Sequence, residues 1–291
     1  MKPFDLVEPR SLAEAIGCLD RDDPAVRPIA GGTALMLMMK AGLFRPLRLV
    51  SLRAIEERFR RIAAEPDGEL RIGAMATLAS VERSPEVARL APVITRTLRR
   101  LANRRVRNVA TIGGHLAHAD PHLDLPPVLV ALGARLIIAG PAGEHAIAIE
   151  ALFKGYLETV LRHDEMIAEL IVPPQAGRQS AYLKCTARSA DDWPSLGIAV
   201  SLSVAGGIIR DSRIVIGAAT ETPTRLAAAE AVLRGAAIDD AILRRAGEAA
   251  AAEAAIVSDQ HGSAAYKKQL LRVGLGRAAR SALAAAPEAP R

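Results

Sequence analysis

The stretch PIAGGTALMLMMKAGL, residues 28–43, joins a short apolar run, a pair of glycines and an apolar segment with helical spacing. This order predicts a strand, a tight turn and a helix that is capped by Thr33. A glycine pair at such a turn lets the main chain approach a ligand closely, because no Cβ is in the way. The N–H groups at the start of a helix also attract anions such as phosphate. One such turn on its own is more often a simple change of chain direction.

A second glycine pair occurs in RNVATIGGHLAHADPHLDLPP, residues 107–127. It also follows a strand-like stretch, so the two turns together could hold the two phosphates of one dinucleotide from opposite sides. Neither turn has the G-x-G-x-x-G spacing of a Rossmann nucleotide site, and neither is followed by the G-K-[ST] of a P-loop. The pair therefore does not indicate a nicotinamide site of the Rossmann type.

The composition limits the class of protein. The 291 residues are 50% apolar and 3% aromatic, which is enough for two or three compact units with aliphatic cores. The two cysteines are far apart and have no metal-site spacing, which argues against an iron–sulfur or zinc–thiolate site in this chain and favours a reducing, cytoplasmic location. We find neither a signal peptide nor an apolar run of the length that a membrane span needs. The net charge of +6 is modest and compatible with an anionic ligand or an acidic partner.

The pattern along the chain predicts three units, over residues 1–57, 58–175 and 178–287. The first begins with a capping box at Ser11–Glu14 and continues as a small βαβ-like unit. The second contains a long helix from Pro85 to about residue 101. The third has strands followed by helices, which is typical of an α+β arrangement. We therefore expect an α+β chain: an α/β-type domain of two subdomains, followed by a small domain with an antiparallel sheet and helices.

The two glycine turns, their separation of about eighty residues and the phrase TIGGHLAHADPHLDLPPVLVALGA (111–134) resemble the FAD-binding medium subunit of the molybdenum hydroxylases. That family includes carbon monoxide dehydrogenase and the xanthine dehydrogenases. The segment SDQHGSAAYKKQLLRVGLGR (258–277) is similar to the closing helix of the family's C-terminal domain. The resemblance covers essentially the whole chain, and it implies an oxidoreductase flavoprotein whose N-terminal half is the FAD-binding domain.

The resemblance implies that the first turn, residues 28–35, and the second, residues 111–115, hold the pyrophosphate of FAD largely through main-chain N–H groups. The chain departs from the family at two positions. Ala34 stands where Asp is common, and His115 stands where Asn is common. The main-chain donors remain at both positions, so main-chain binding tolerates both changes.

Further FAD contacts are implied outside the two turns. Asp124 matches an acidic position that helps to hold the flavin nucleotide, and looser similarity adds three more residues. Trp193 lies in a segment that the family places near the isoalloxazine ring, although it could equally be a half-buried anchor of the third unit. The predicted cofactor-binding residues are Pro28, Ile29, Ala30, Gly31, Gly32, Thr33, Ala34, Leu35, Leu101, Thr111, Ile112, Gly113, Gly114, His115, Asp124, Ile167, Lys184 and Trp193.

The segment HLAHADPHLD (115–124) also carries imidazoles and carboxylates, which are suitable ligands for zinc or iron. Their spacing matches no helical pair such as H-E-x-x-H, and Pro121 would disturb a single helical face. We therefore predict no metal site. We expect instead that Asp120 caps a turn and that the histidines line or flank the flavin cleft.

Six arginines lie within RTLRRLANRRVRN, residues 96–108. A basic stripe of this kind could bind nucleic acid, and an RNA-binding protein is the non-enzyme alternative. No aromatic residues are interleaved for base stacking, so a solvated helix face or a docking surface for an acidic partner is the better explanation.

No nucleophile–base pair and no recognisable pair of carboxylates is present, so we predict no catalytic residue in this chain. The resemblance implies that a cofactor does the chemistry. A large partner subunit would oxidise the substrate on molybdopterin, and a small partner's [2Fe–2S] clusters would pass electrons to FAD and then to an external acceptor. Such chains commonly form a dimer of heterotrimers. The alternative is a free-standing FAD-dependent oxidoreductase of the same superfamily.

Overall fold

The computed structural model describes residues 3–284, and within them the chain forms two compact units that interleave along the sequence. Unit 1 consists of Met1–Arg89, Ala102–Ala119 and Ala134–Pro173. Unit 2 consists of Leu90–Leu101, Asp120–Gly133 and Pro174–Arg291. The three-unit division expected from the sequence stays a prediction. Its outermost residues, 1–2 and 285–287, lie outside the described part of the chain.

Strands and short helices alternate through the first two thirds of the chain, and helices dominate its end. The strands are β1 (Asp5–Val7), β2 (Val26–Ile29), β3 (Arg48–Ser51), β4 (Ile62–Ala64), β5 (Leu70–Gly73), β6 (Arg135–Gly140), β7 (Gly143–Ala148), β8 (Phe153–Gly155), β9 (Glu158–Thr159), β10 (Met166–Val172), β11 (Arg178–Cys185), β12 (Leu196–Ala205), β13 (Ile208–Gly217) and β14 (Thr224–Arg225). The helices are α1 (Leu12–Gly17), α2 (Leu35–Lys40), α3 (Leu78–Arg83), α4 (Pro85–Leu90), α5 (Pro92–Leu98), α6 (Arg104–Arg107), α7 (Ile112–His118), α8 (Leu125–Leu132), α9 (Ala227–Leu233), α10 (Asp240–Glu253) and α11 (Ala264–Ala284).

A small parallel sheet with the order β1-β3-β2 begins unit 1. Its strands β2 and β3 are connected through α2, which confirms the predicted βαβ-like unit. The predicted cap of α1 is confirmed as well, because Ser11 Oγ accepts the N–H of Glu14 at 3.1 Å. The predicted cap of α2 by Thr33 is wrong: the N-cap residue is Ala34, and no side chain accepts a hydrogen bond there.

The second sheet of unit 1 has the order β4-β5-β10-β6-β7 and is antiparallel. Its central strand β10 is almost entirely buried, and helix α7 packs against it. The main chain that follows β5 bonds to the start of α7, where the N–H of Gly113 donates to Ala74 O at 2.8 Å. This sheet therefore fixes the position of the second glycine turn.

The single helix predicted from Pro85 to about residue 101 is wrong. The chain forms α4 and α5 instead, with Ala91 in a non-helical conformation between them. Pro92 is the reason, because proline has no N–H for a helical hydrogen bond and disfavours the helical conformation of the residue before it. It stands in the first turn of α5, where proline is tolerated.

Unit 2 is built on an antiparallel sheet with the order β11-β12-β13-β14. Gly206 and Gly207, with φ of +59° and +75°, form the two-residue turn between β12 and β13. Helix α11 lies on β11 and β12, and its buried face includes Leu271 and Leu275. Helices α10 and α11 cross closely at Gly247, where a Cβ would lie 2.3 Å from Arg272 O. Strands followed by helices make this unit α+β, which confirms the predicted fold class.

Candidate functional site: two glycine turns and a set of buried charges

The two glycine turns are in direct contact within unit 1. A Cβ built on Gly31 would lie 2.0 Å from Val109 O and 2.9 Å from Ala110 Cα, so only glycine allows the first turn to pack against the chain before the second. A Cβ built on Gly114 would lie 3.8 Å from the Cβ of Ala30. The fold therefore brings together two segments that are about eighty residues apart in the sequence.

The first turn presents open main-chain donors. Gly32 has φ of +67°, a left-handed conformation that glycine adopts without steric cost. The N–H groups of Gly31, Gly32, Thr33 and Ala34 have no acceptor among residues 3–284. Main-chain donors that lack a protein acceptor must bond to water or to a ligand, so this turn is equipped to bind an anion.

The second turn differs from the first, because its donors already have protein acceptors. The N–H of Gly114 donates to Thr111 Oγ1 at 3.2 Å, and the N–H of Ile112 donates to Ala76 O at 2.9 Å. A Cβ on Gly113 would lie 2.7 Å from the Cβ of Ala74, so this glycine is required for packing against the end of β5. The second turn thus lies against the first turn, whose N–H groups have no acceptor among residues 3–284.

Asp124 and Lys184, two of the predicted FAD contacts, form a buried ion pair within unit 2. Lys184 Nζ donates to Asp124 Oδ2 at 2.9 Å and to Arg100 O at 2.9 Å, while Tyr182 Oη donates to Asp124 Oδ1 at 2.8 Å. Burial raises the pKa of the Asp124 carboxyl, and the Lys184 ammonium and the hydrogen bonds oppose that rise in part. Burial also raises the pKa of Tyr182 well above its ordinary value.

Sequence reasoning missed Tyr182. Its position two residues before Lys184 on β11 places both side chains on the same face of the strand. That alternation was visible in the sequence, but only the fold shows that Asp124 at the start of α8 meets that face. Both oxygens of the Asp124 carboxylate accept hydrogen bonds, so Tyr182 and Lys184 together fix the orientation of this carboxylate within unit 2.

Trp193 is half-exposed and stacks on two histidines of unit 2. Its ring centroid lies 5.2 Å from that of His122 and 6.4 Å from that of His261.

The predicted turn cap is confirmed, because Asp120 Oδ1 accepts the main-chain N–H of His122 at 2.8 Å. The sequence analysis did not predict the contact of His261 with Trp193, because the two residues are far apart in the sequence. Over residues 3–284 no group of three His, Cys, Asp or Glu side chains is arranged to hold a metal ion.

The structure distributes the predicted cofactor-binding residues over both units. Unit 1 contains both turns and Ile167, which is buried on β10, and unit 2 contains Leu101, Asp124, Lys184 and Trp193. Within unit 1 the fold joins the two turns, and within unit 2 it joins Asp124 to Lys184.

Two family models together match most of the chain. The model of the FAD binding domain in molybdopterin dehydrogenase matches residues 2–175, and that of the CO dehydrogenase flavoprotein C-terminal domain matches residues 181–282. The chain belongs to the molybdopterin dehydrogenase FAD-binding family. This membership confirms the resemblance seen in the two glycine turns.

The alignments with relatives from this family cover nearly the whole chain. The carbon monoxide dehydrogenase medium chain of Afipia carboxidovorans is 33% identical and covers 97% of this chain and 98% of its own. The nicotine 6-hydroxylase medium subunit of Paenarthrobacter nicotinovorans is 32% identical, with coverage of 91% and 92%. The solved carbon monoxide dehydrogenase of Hydrogenophaga pseudoflava, a form that lacks the Mo-pyranopterin moiety of its cofactor, matches with a TM-score of 0.92 at 32% identity, covering 97% of this chain and 98% of that one. The predicted class, an oxidoreductase flavoprotein, is thereby confirmed.

Arg107, within the basic stripe, is buried and donates to Glu82 Oε2 at 2.8 Å, so it is a structural residue that ties α6 to α3. None of the helices in residues 3–284 is both long and apolar enough to cross a membrane.

Proposed function

We propose that this chain binds FAD through its glycine turns and is the electron-transfer flavoprotein subunit of a molybdenum hydroxylase complex. The observation that carries the proposal is the contact between the two turns in unit 1, where the first turn keeps its N–H groups open. A pyrophosphate needs several donors at short range and cannot share that space with a Cβ. The donor set and the absence of side chains at the turns both fit FAD, and membership in an FAD-binding family supports the same conclusion.

Each part of the chain has a distinct role in this proposal. The N–H groups from Gly31 to Ala34 bind the pyrophosphate, and Gly114 leaves room beside them. Leu101 and Ile167 contribute buried apolar surface, and Asp124, Lys184 and Trp193 stay proposed flavin contacts. When bound, FAD supplies the redox chemistry, since it accepts and releases electrons singly or in pairs.

The partners belong to the proposal as well. We infer a large subunit with molybdopterin and a small subunit with [2Fe–2S] clusters, which deliver electrons to FAD for an external acceptor, in a dimer of heterotrimers. Relatives named as medium chains support such an assembly. Those relatives are named for different substrates, carbon monoxide and nicotine, so we place the choice of substrate in the partner subunit. The cytoplasmic location stays a prediction from the sequence.

The alanine variant Gly114→Ala tests the FAD site. Its Cβ meets only Thr111 Oγ1 at 3.0 Å and Ala30 Cβ at 3.8 Å, and alanine in a helix is favoured over glycine by roughly 1 kcal/mol. We expect the variant to keep its melting temperature while it binds FAD much more weakly, because the added methyl group faces the first turn. Titration of the full-length chain with FAD, followed by flavin fluorescence, measures the affinity.

The matched control is Gly276→Ala, another helical glycine, where a Cβ makes ordinary contacts no closer than 3.6 Å. It should bind FAD like the unchanged chain. Unaltered FAD affinity in Gly114→Ala, with the fold intact, would contradict the assignment of the turns.

The subunit role is tested by purification of the full-length chain from its own cells under mild conditions. We expect a larger chain with molybdenum and a smaller chain with iron to co-purify with it in equal amounts. A flavin-loaded chain that is active and purifies alone would support the free-standing oxidoreductase instead.

A further inference from the structure

A group of charged side chains in unit 2, which we call the histidine cluster, has no role in the function proposed above. It consists of Asp120, His122, Asp259 and Lys267. His122 lies at its centre, with Nδ1 at 3.2 Å from Asp120 Oδ1 and Nε2 at 3.1 Å from Asp259 Oδ2. The side chain of His122 is 12% exposed, and that of Lys267 is completely buried.

Both carboxylates of the histidine cluster accept hydrogen bonds from groups other than the His122 ring. Asp259 Oδ2 accepts the ammonium of Lys267 at 2.5 Å, and Asp259 Oδ1 accepts the N–H of His261 at 2.8 Å. Asp120 Oδ1 accepts the main-chain N–H of His122 at 2.8 Å. An ionised carboxylate is an acceptor only, and a neutral imidazole has only one donor. Two carboxylate partners are best matched by two ring N–H groups, and the imidazolium is the form of His122 that has both.

The ring of His122 is also stacked on an indole. The rings of His122 and Trp193 are 5.2 Å apart between centroids and inclined by 29°. Trp193 is 48% exposed, so the histidine covers one part of the indole and solvent reaches the remainder. A cation over the face of tryptophan is attracted by the ring quadrupole, and this attraction disappears when the cation loses its proton.

We propose that His122, held as an imidazolium between Asp120 and Asp259, is a positioning residue that fixes the indole of Trp193 and releases it when deprotonated. The stacking is independent of the function proposed above. Its consequence for flavin rests on that function, because Trp193 is there a proposed flavin contact.

The charged groups around His122 set the direction of its titration. They are Asp120 on its own turn, Asp259 and His261 on the turn before α11, and Lys267 on α11, which acts through Asp259. Burial alone lowers the pKa of His122, but the hydrogen bonds and charges of Asp120 and Asp259 outweigh it and raise the pKa above its ordinary value. The stacked form is therefore lost as the pH rises through the pKa of the folded state, which lies above the ordinary value of histidine.

The single tryptophan of the chain makes this proposal measurable. An imidazolium in contact with an indole quenches its fluorescence more strongly than a neutral imidazole does. We expect the emission of the full-length chain, without added flavin, to rise with pH in one transition whose midpoint lies above about 6.5, the ordinary pKa of histidine. His122→Gln should remove this transition, and the matched control His261→Gln should retain it.

A second variant, Asp120→Asn, tests the proposal even if His122→Gln does not fold. Asp120→Asn keeps an acceptor for the turn but loses the charge, so its midpoint should fall by roughly 1 pH unit or more. Circular dichroism verifies the fold of each variant. A flat profile in the unchanged chain, a transition that survives in His122→Gln, or an unmoved midpoint in folded Asp120→Asn would overturn the proposal.

Repetition of the titration after addition of FAD separates the two proposals. Failure to bind FAD would contradict the proposed function and leave the transition of Trp193 as it was. Quenching of Trp193 by bound FAD, at a level that changes with the same midpoint, would connect the histidine cluster to the flavin site.

Discussion

Replacement of Gly31 by alanine should weaken FAD binding by at least about tenfold and also lower the melting temperature of the full-length chain. The added Cβ would lie 2.0 Å from Val109 O and 2.7 Å from Val109 C, which are main-chain atoms that cannot rotate away. Overpacking of this kind costs about 1–3 kcal/mol, and each 1.4 kcal/mol that separates the two turns corresponds to about a tenfold loss of affinity. Flavin titration and thermal unfolding measure the two effects.

Gly17→Ala is the matched control for this variant. Gly17 also belongs to unit 1, and nothing lies within 4 Å of a Cβ at that position. It should change neither the FAD affinity nor, by more than a small amount, the stability. If Gly31→Ala bound FAD as tightly as Gly17→Ala does, the contact between the turns would not matter for the cofactor.

The largest loss of stability should follow from replacement of Lys184 by methionine. The side chains of Lys184 and Asp124 are 2% and 6% exposed, so removal of the ammonium leaves a carboxylate buried without its counter-charge. Breaking a buried pair in this way costs about 3–5 kcal/mol. Chemical denaturation at neutral pH measures the free energy of unfolding. Lys154→Met, at an exposed ion pair that is worth little, is the control.

The pH dependence of Lys184→Met has a definite sign. Burial already raises the pKa of Asp124 in the folded chain, and loss of Lys184 removes the main opposing charge. The folded variant therefore binds a proton more readily than its unfolded form, so its stability should rise as the pH falls. The double variant Asp124→Asn/Lys184→Met removes both charges and keeps an acceptor for Tyr182, and it should recover most of the lost stability. A single variant as stable as the control at neutral pH would refute this account.

The sequence predicted those parts of the fold that depend on local chemistry. The paired glycines predicted both turns. The structure shows why glycine is needed at the first one, since a Cβ on Gly31 would overlap the main chain of Val109. The cap of α1 by Ser11 was also predicted from the local sequence, because a serine side chain can accept the N–H of a residue in the first turn. The break at Pro92 was also local and could have been predicted from the proline itself.

The remaining site residues depend on contacts between distant parts of the chain. His122 and Asp259 are 137 residues apart, and Asp124 and Lys184 are 60 apart, so no spacing rule connects them. Thr33 illustrates a different limit: its side chain could cap a helix, but the turn at Gly32 places Ala34 at the start of α2 instead. Tertiary structure decided these positions against the local preference.

Because the two units interleave along the sequence, a single cut cannot separate them into two fragments. A cut after residue 175, where the match to the FAD-binding domain ends, would leave α5 and α8 on the N-terminal fragment. Unit 2 would then lose the helix that covers β12 and β13. A Cβ built on Gly217 of β13 would lie only 3.0 Å from Pro127 Cγ of α8, so this glycine leaves room for the helix. Neither fragment would be self-sufficient, and the exposed apolar sheet would promote aggregation. Exchange of unit 2 between relatives would therefore have to include residues 90–101 and 120–133.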